Sequence, residues 1–322
     1  MKTKEKILEI LNENIGKCIS GGEIAKRLSI TRNAVWKGIN ALKQDGYDIS
    51  SVANSGYVLN TSVELFNEDT INKYLKTKRK IMVYEEIPST NTEAKALAQN
   101  GASEGDVVIA KSQSAGKGRM GRSFISNSEN GLYMSIILKP SIPLDKCIYI
   151  TVLGAVAVLD AIEETSGIEC QIKWVNDIYI NEKKVSGILT EASIDFETSS
   201  LQYAILGIGV NITPPENGFP KDIENIATAI YSEGTCPKHY KSILCAKIID
   251  NFFDGYKHLE QKEFIERYRQ KSMLIGKEVE VQVGSNITSG KVVDIDKNAQ
   301  LIVKTKDGVM AFNSGEARAR AK

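Results

Sequence analysis

The stretch Lys111–Phe124, KSQSAGKGRMGRSF, constrains the fold of this chain more than any other. Gly116-Lys117-Gly118-Arg119-Met120-Gly121 matches the GxGxxG pattern of dinucleotide-binding folds. In those folds the glycines join a strand to a helix, and the third glycine lets helix and sheet pack closely. A strand does precede the motif, DVVIA at 106–110. No helix follows. RSFISNSENGLYMSIIL is broken by Ser, Asn and Gly before a new apolar strand begins. The GxxxxGK[ST] phosphate loop is not matched either. A doubly wound nucleotide fold is therefore excluded, and the glycines must serve a different purpose.

The cations around them suggest one. Lys117, Arg119 and Arg122 fall within six residues, repel one another and offer no apolar surface. Glycines let a backbone approach a ligand closely and can expose N–H groups to an anion. Such a loop is expected to be mobile when empty and ordered around negative charge. The plainer reading is a solvated basic turn. Other segments favour an anion site. KWVNDIYI (173–180) places Lys173, Asn176 and Asp177 on an alternating strand, and NEKKVSGIL sets Lys183 and Lys184 before an apolar one. GIGVNI ends a strand on Asn211, and EEIPSTNTEAKALA puts Ser89, Thr90 and Asn91 between a strand and a helix start. Each alone reads as a cap or a turn; together on one sheet they point to a site.

Apolar spacing divides the chain. Ile7, Leu8 and Leu11 share a helical face, and Ile24, Ala25 and Leu28 mark a second helix. Thr31 is the expected N-cap of RNAVWKGINALKQDG, with Val35, Ile39 and Leu42 inward and Trp36 beside them. YDISSVANSGYVLN reads as a hairpin around Asn54-Ser55-Gly56. This predicts a winged helix-turn-helix over 1–62, followed by a helical connector at 63–80. Strands are expected at 81–86, 106–110, 132–138, 171–181, 184–194 and 201–212, and helices at 90–100, 150–165 and 238–270. That order predicts an α+β domain over 63–270 with a mixed, mostly antiparallel sheet. Short strands separated by tight turns over 271–322 predict a small SH3-like β-barrel.

Residues 1–61 carry nine Lys/Arg against six Asp/Glu, a mildly basic piece compatible with a polyanionic partner. The N-terminus of its third helix, Thr31, Arg32 and Asn33 with Lys37, suits phosphate and base-edge contact in a major groove, with Asn54 at the wing tip. A protein-docking module is the alternative. Five scattered cysteines without a CxxC pair fit a reducing cytoplasm, and two histidines, His239 and His258, argue against a His-based metal site or triad. The charged, amphipathic start is unlike a signal peptide. No apolar run approaches the ~18 residues of a membrane span, so no membrane partner is expected.

Taken together, QSAGKGRMGRSF, KWVND, KKVSGIL, GIGVN and the tail GEARAR resemble the bifunctional biotin–protein ligases, which biotinylate a carboxylase carrier and repress biotin-synthesis genes. The resemblance runs over nearly the whole chain. Lys117 stands where the family loop GRGRxGRxW has its first Arg, Phe124 where it has Trp, and Val175 where KWPND has Pro. Lys keeps the charge but loses bidentate geometry.

The resemblance implies ATP with Mg²⁺ as cofactors and biotin as substrate, converted first to biotinyl-5′-AMP and then to a biotinylated lysine of a biotin carboxyl carrier protein. It implies that Lys184 and Arg119 stabilise charge at the reacting carboxylate and α-phosphate. Asp177 then holds Lys184 or relays a proton. Ser89, Thr90, Asn91, Gln113, Gly116, Lys117, Gly118, Arg122, Asn176 and Asn211 complete the biotin and adenylate site. Glu316 and Arg320 match tail positions that fold back toward nucleotide or carrier, or are plain surface charges. Operator DNA is the implied partner of the helix-turn-helix, through a ligand-promoted homodimer. A non-catalytic biotin-sensing repressor and a lipoate-type ligase are the alternatives.

Overall fold

A computed structural model describes residues 3–44, 46–53, 55–60, 65–195 and 200–319. The chain divides into two compact units, Met1–Leu65 and Phe66–Lys322.

The first unit is helix, helix, helix, hairpin: α1 (Thr3–Glu13), α2 (Gly21–Leu28), α3 (Arg32–Gln44), then β1 (Ile49–Val52) paired antiparallel with β2 (Gly56–Leu59). Ser20 caps α2 by accepting the Glu23 amide at 3.1 Å, and Ser29 ends it in the left-handed region. Thr31 Oγ1 accepts the Ala34 amide at 3.1 Å, as the N-cap reading expects. Ile7, Leu11, Ile24, Val35, Ile39, Leu42 and Leu59 form the core. Gly38 lets α1 approach α3: a Cβ there would lie 2.4 Å from Ile7 Cδ1. Thr31, Arg32, Asn33 and Lys37 are exposed. Trp36 is a correction. It is 54% exposed, because it follows Val35 and so sits about 100° around the helix from the buried stripe. Asn54 lies outside the described residues.

In the second unit the expected connector helix shrinks to α4 (Glu68–Asn72), opened by a reciprocal Asn67–Thr70 capping box. A seven-stranded sheet follows, with β3 (Ile81–Ile87), β4 (Val107–Gln113), β5 (Gly131–Leu138), β6 (Gln171–Lys173), β7 (Asp177–Ile180), β8 (Lys183–Asp195) and β9 (Ser200–Asn211). Its order is β3-β4-β5-β9-β8-β7-β6, parallel only between β3 and β4. The apolar run 171–181 is two strands, because Trp174-Val175-Asn176 form the turn that carries the chain back. The long helix expected at 238–270 is likewise two, α7 (Tyr240–Tyr256) and α8 (Phe264–Gln270).

Alternation along β9 sets the layers. Tyr203 and Ile205 pack under α5 (Thr90–Gln99) with Ala94 and Ala98, while Ala204, Leu206, Ile208 and Val210 face the main core with α6 (Ile148–Ser166) and α7. The C-terminal strands β10 (Glu278–Val283), β11 (Asn286–Ile295), β12 (Leu301–Thr305), β13 (Gly308–Phe312) and β14 (Glu316–Ala319) form an antiparallel sheet in the order β13-β12-β11-β10-β14. Its buried residues Val279, Val281, Leu301 and Val303 join that same core. Trp174 Nε1 donates to Ala299 O at 3.0 Å, which ties the β6–β7 turn to this sheet. Among the described residues no helix is long and apolar enough to cross a membrane.

Candidate active site

Two odd-numbered positions of β9 that lie beyond the helix carry no side chain. Past Tyr203 and Ile205 come Gly207 and Gly209, paired with Leu189 and Gly187 of β8. Where α5 begins, the same face of the sheet therefore becomes a trough. A Cβ on Gly207 would lie 2.1 Å from Asn91 Oδ1, and one on Gly209 would lie 2.6 Å from the Phe124 ring. Glycine inside a strand marks close approach of another group, and here that group is the site itself. The cavity above has a volume of about 160 Å³.

One end of the cavity is polar and buried. Ser89, Thr90 and Asn91 at the start of α5 are each less than 5% exposed. Thr90 N donates to Gln113 Oε1 at 2.7 Å, and Gln113 Nε2 donates to Ser126 Oγ at 3.0 Å. Ser135 Oγ, fully buried on β5, lies 2.8 Å from Thr90 Oγ1 and 2.6 Å from Asn91 Oδ1. Asn91 Nδ2 donates to Glu191 Oε2 at 2.7 Å, and Lys95 Nζ to Glu191 Oε1 at 2.5 Å. Burial by itself raises the Glu191 carboxyl. Bonds from Lys95 and Asn91 outweigh it and hold the group below the usual carboxylate range.

The other end is cationic. The Lys111–Phe124 loop is a small hairpin: Gly118 N donates to Arg122 O at 2.7 Å and Phe124 N to Gly116 O at 2.9 Å, around a short 3-10 turn at Arg119–Gly121. Gly116 is needed there, since a Cβ would lie 2.3 Å from Phe124 O. Arg119 donates to Asn176 Oδ1 at 3.0 Å, and Asn176 Nδ2 donates to Ile188 O at 2.7 Å. Lys184 Nζ lies 2.7 Å from Asp177 Oδ1, an ion pair without hydrogen-bond alignment, and 6.0 Å from the Phe124 ring centroid. Arg122 holds Glu316 by both carboxylate oxygens, at 3.1 and 2.5 Å. That bond draws the Glu316 carboxyl down to about 2. Lys173, half-buried in the same cavity, has its ammonium pKa lowered by burial.

Ser89, Thr90, Asn91, Gln113, Lys117, Gly118, Arg119, Arg122, Asn176, Asp177 and Lys184 thus line one cavity, with Glu316 from β14. Asn211 does not. It pairs with Gly131 at the far end of β9, and its Nδ2 donates to Thr228 O at 3.0 Å. Arg320 lies outside the described residues. Sequence reasoning missed Ser135, Glu191 and the glycines of the floor, while Lys173, singled out in KWVND, does line the cavity. The alternating Gly-Ile-Gly of β9 is the signal that could have found the floor. Among the described residues no cluster of three or more His, Cys, Asp or Glu is placed to hold a metal ion.

Three family models match the chain: "HTH domain" over 3–58, "Biotin/lipoate A/B protein ligase family" over 83–211 and "Biotin protein ligase C terminal domain" over 274–317. The chain is 34% identical to the bifunctional ligase/repressor BirA of Bacillus subtilis, over 97% of both chains. It is 26% identical to the biotin–[acetyl-CoA-carboxylase] ligase of Mycobacterium tuberculosis, over 74% of this chain and 88% of that one. The Aquifex aeolicus biotin protein ligase solved with biotin and ATP superposes with a TM-score of 0.63 at 29% identity, covering 76% of this chain and 99% of that one.

Proposed function

The chain belongs to the family of the bifunctional biotin ligase/repressors, and we propose that its cavity joins biotin to ATP and passes the product to a protein lysine, while its helix-turn-helix binds DNA. The observation that carries this reading is the division of one cavity into a buried end lined by uncharged polar groups and a cationic end.

The first step brings a carboxylate onto a triphosphate, so cationic groups must offset the repulsion. Arg119, held by Asn176, and Lys184, held by Asp177, flank the point where the two anions meet. Attack of the carboxylate on the α-phosphate releases pyrophosphate and leaves biotinyl-5′-AMP. In the second step the amine of a carrier lysine attacks the acyl carbon, AMP leaves, and Lys184 again faces the developing charge. Asp177 serves to orient Lys184 rather than to take the proton, a reading supported by the 2.7 Å ion pair. Lys117 and Arg122 contribute charge to the loop, and Gly116 and Gly118 let its backbone fold closely. Ser89, Thr90 and Gln113 bond the ureido ring, whose burial requires partners. Asn176 faces the nucleotide end, and Asn211 supports the strand end nearby.

Magnesium would enter with the nucleotide and would offset the charge of its phosphates. The carboxylates of the cavity, Asp177 and Glu316, are already engaged by Lys184 and Arg122.

Thr31, Arg32, Asn33 and Lys37 form the DNA-reading end. The acceptor is a biotin carboxyl carrier protein, and ligand-promoted dimerisation through the central sheet links adenylate to operator binding, since helix-turn-helix proteins read DNA as dimers. The C-terminal sheet is a small SH3-like barrel. The five cysteines, none of them in a disulfide, support a reducing cytoplasm.

ATP–pyrophosphate exchange with biotin against lipoate tests the enzyme. Exchange with biotin alone is expected. Exchange with lipoate instead, or binding of biotin with no exchange, overturns the reading in favour of a lipoate ligase or a sensor.

A further inference from the structure

The buried end of the cavity contains a chain of hydrogen bonds whose protons can be counted. Lys95 has only donors, and it lies 2.5 Å from one oxygen of Glu191. The charged Glu191 carboxylate has only acceptors, so it requires the Nδ2 side of Asn91, which lies 2.7 Å from its other oxygen. That fixes the Asn91 amide and turns Oδ1, an acceptor, toward Ser135 at 2.6 Å. Ser135 owns one hydroxyl proton and must spend it on Asn91. Toward Thr90, 2.8 Å away, Ser135 can then only accept, so the Thr90 hydroxyl proton points at Ser135. What Thr90 Oγ1 has left for the cavity is lone pairs. Ser135 is fully buried and Thr90 and Asn91 are each 4% exposed, so water is in no position to reverse the order. Gly207 supplies the space that lets the Asn91 amide occupy this position.

Resting on the biotin reading of the cavity, we propose that the relay Lys95–Glu191–Asn91–Ser135–Thr90 sets Thr90 Oγ1 as an obligate acceptor, so that the ligand's head group must present an N–H donor there. A cyclic urea meets that demand; a dithiolane ring does not. Glu191 and Lys95 are positioning residues: they select the head group through Thr90.

The relay predicts its own inversion. In Glu191→Gln the Lys95 ammonium still holds the side-chain oxygen, so the new amide nitrogen faces Asn91. Asn91 must flip, its Nδ2 donates to Ser135, Ser135 donates to Thr90, and Thr90 Oγ1 becomes free to donate into the cavity. The probes are biotin and its two cyclic carbamate isosteres, each with one ureido N–H replaced by a ring oxygen. Size is unchanged and only the donor is lost. Calorimetric titration of the full-length protein is expected to show one isostere rejected about a hundredfold relative to biotin, because two acceptors then face each other.

In Glu191→Gln that ratio falls below about tenfold or inverts. Ser135→Ala, which frees the Thr90 proton without a flip, also lowers it. The ratio of two affinities is read rather than either one, so a general loosening of the site leaves it unchanged. If both variants bind biotin and keep the wild-type ratio, the relay is wrong. If either variant does not fold, the other decides. If the wild-type protein itself does not bind biotin, the functional reading has failed instead, and the two failures are distinguishable.

Discussion

The two ends of the cavity are built by opposite means. At the buried end Thr90, Asn91, Gln113 and Ser135 are all less than 10% exposed, and they bond one another at 2.6–2.8 Å. At the cationic end Lys184 and Asp177 keep a quarter to a third of their side chains in solvent, and the Arg122 side chain is 59% exposed. Burial makes an unpaired donor or acceptor costly, so the first end can discriminate between neutral groups. Exposure weakens each charge, so the second end gathers several.

The largest effect that would sharpen this contrast is at the reacting groups. Arg119→Ala and Lys184→Ala should each lower the rate of adenylate formation about 10²–10³-fold, with biotin affinity little changed. A large loss of biotin affinity with unchanged rate would break the division of labour. Next, Gly207→Ala adds a Cβ 2.1 Å from Asn91 Oδ1. It should displace Asn91 and weaken biotin binding at least tenfold, read by titration calorimetry, while the KM for ATP stays within about twofold.

Thr90→Val removes the acceptor but keeps the shape. It should raise the KM for biotin by roughly ten- to a hundredfold, because a ligand N–H is left unpaired. An equal effect on ATP would show that the buried end is not separate. The smallest effect is expected at the Arg122–Glu316 pair. A double-mutant cycle on stability should give about 0.2–1 kcal/mol, as exposed pairs do. Its pH dependence has a definite sign. The Glu316 carboxyl is depressed, so the contact is fully present above pH about 4.5 and is lost as pH falls through about 2. An NMR titration of Glu316 with a midpoint near the ordinary carboxylate value would remove this contact from the site.

Much of this was legible in the sequence for reasons that can be named. The failed helix after Gly121 excluded a doubly wound fold, and the structure has a hairpin loop there. Lys184 and Asp177 were readable as a pair because β7 and β8 are joined by a tight turn, so the two residues are near in chain as well as in space. Thr31 was readable as a cap because capping acts over three residues. The errors lie where spacing is ambiguous. Trp36 is apolar and next to a buried stripe, yet one residue is 100° of helix, which carries it into solvent. Asn211 follows two glycines that build the cavity floor, and polar chemistry drew attention to the asparagine rather than to the missing side chains.

By itself the sequence determined the order of elements, the helix-turn-helix, the antiparallel bias of the sheet and the kind of chemistry the loop can do. Those depend on apolar periodicity, capping and turn residues, which act across a few positions. Tertiary structure alone decided which groups meet. Asn91 and Glu191 are 100 residues apart, and Arg122 and Glu316 are 194 apart. No local rule reaches that far: a hydrogen bond depends on ångströms between atoms, and the folding of the whole sheet and tail sets those distances.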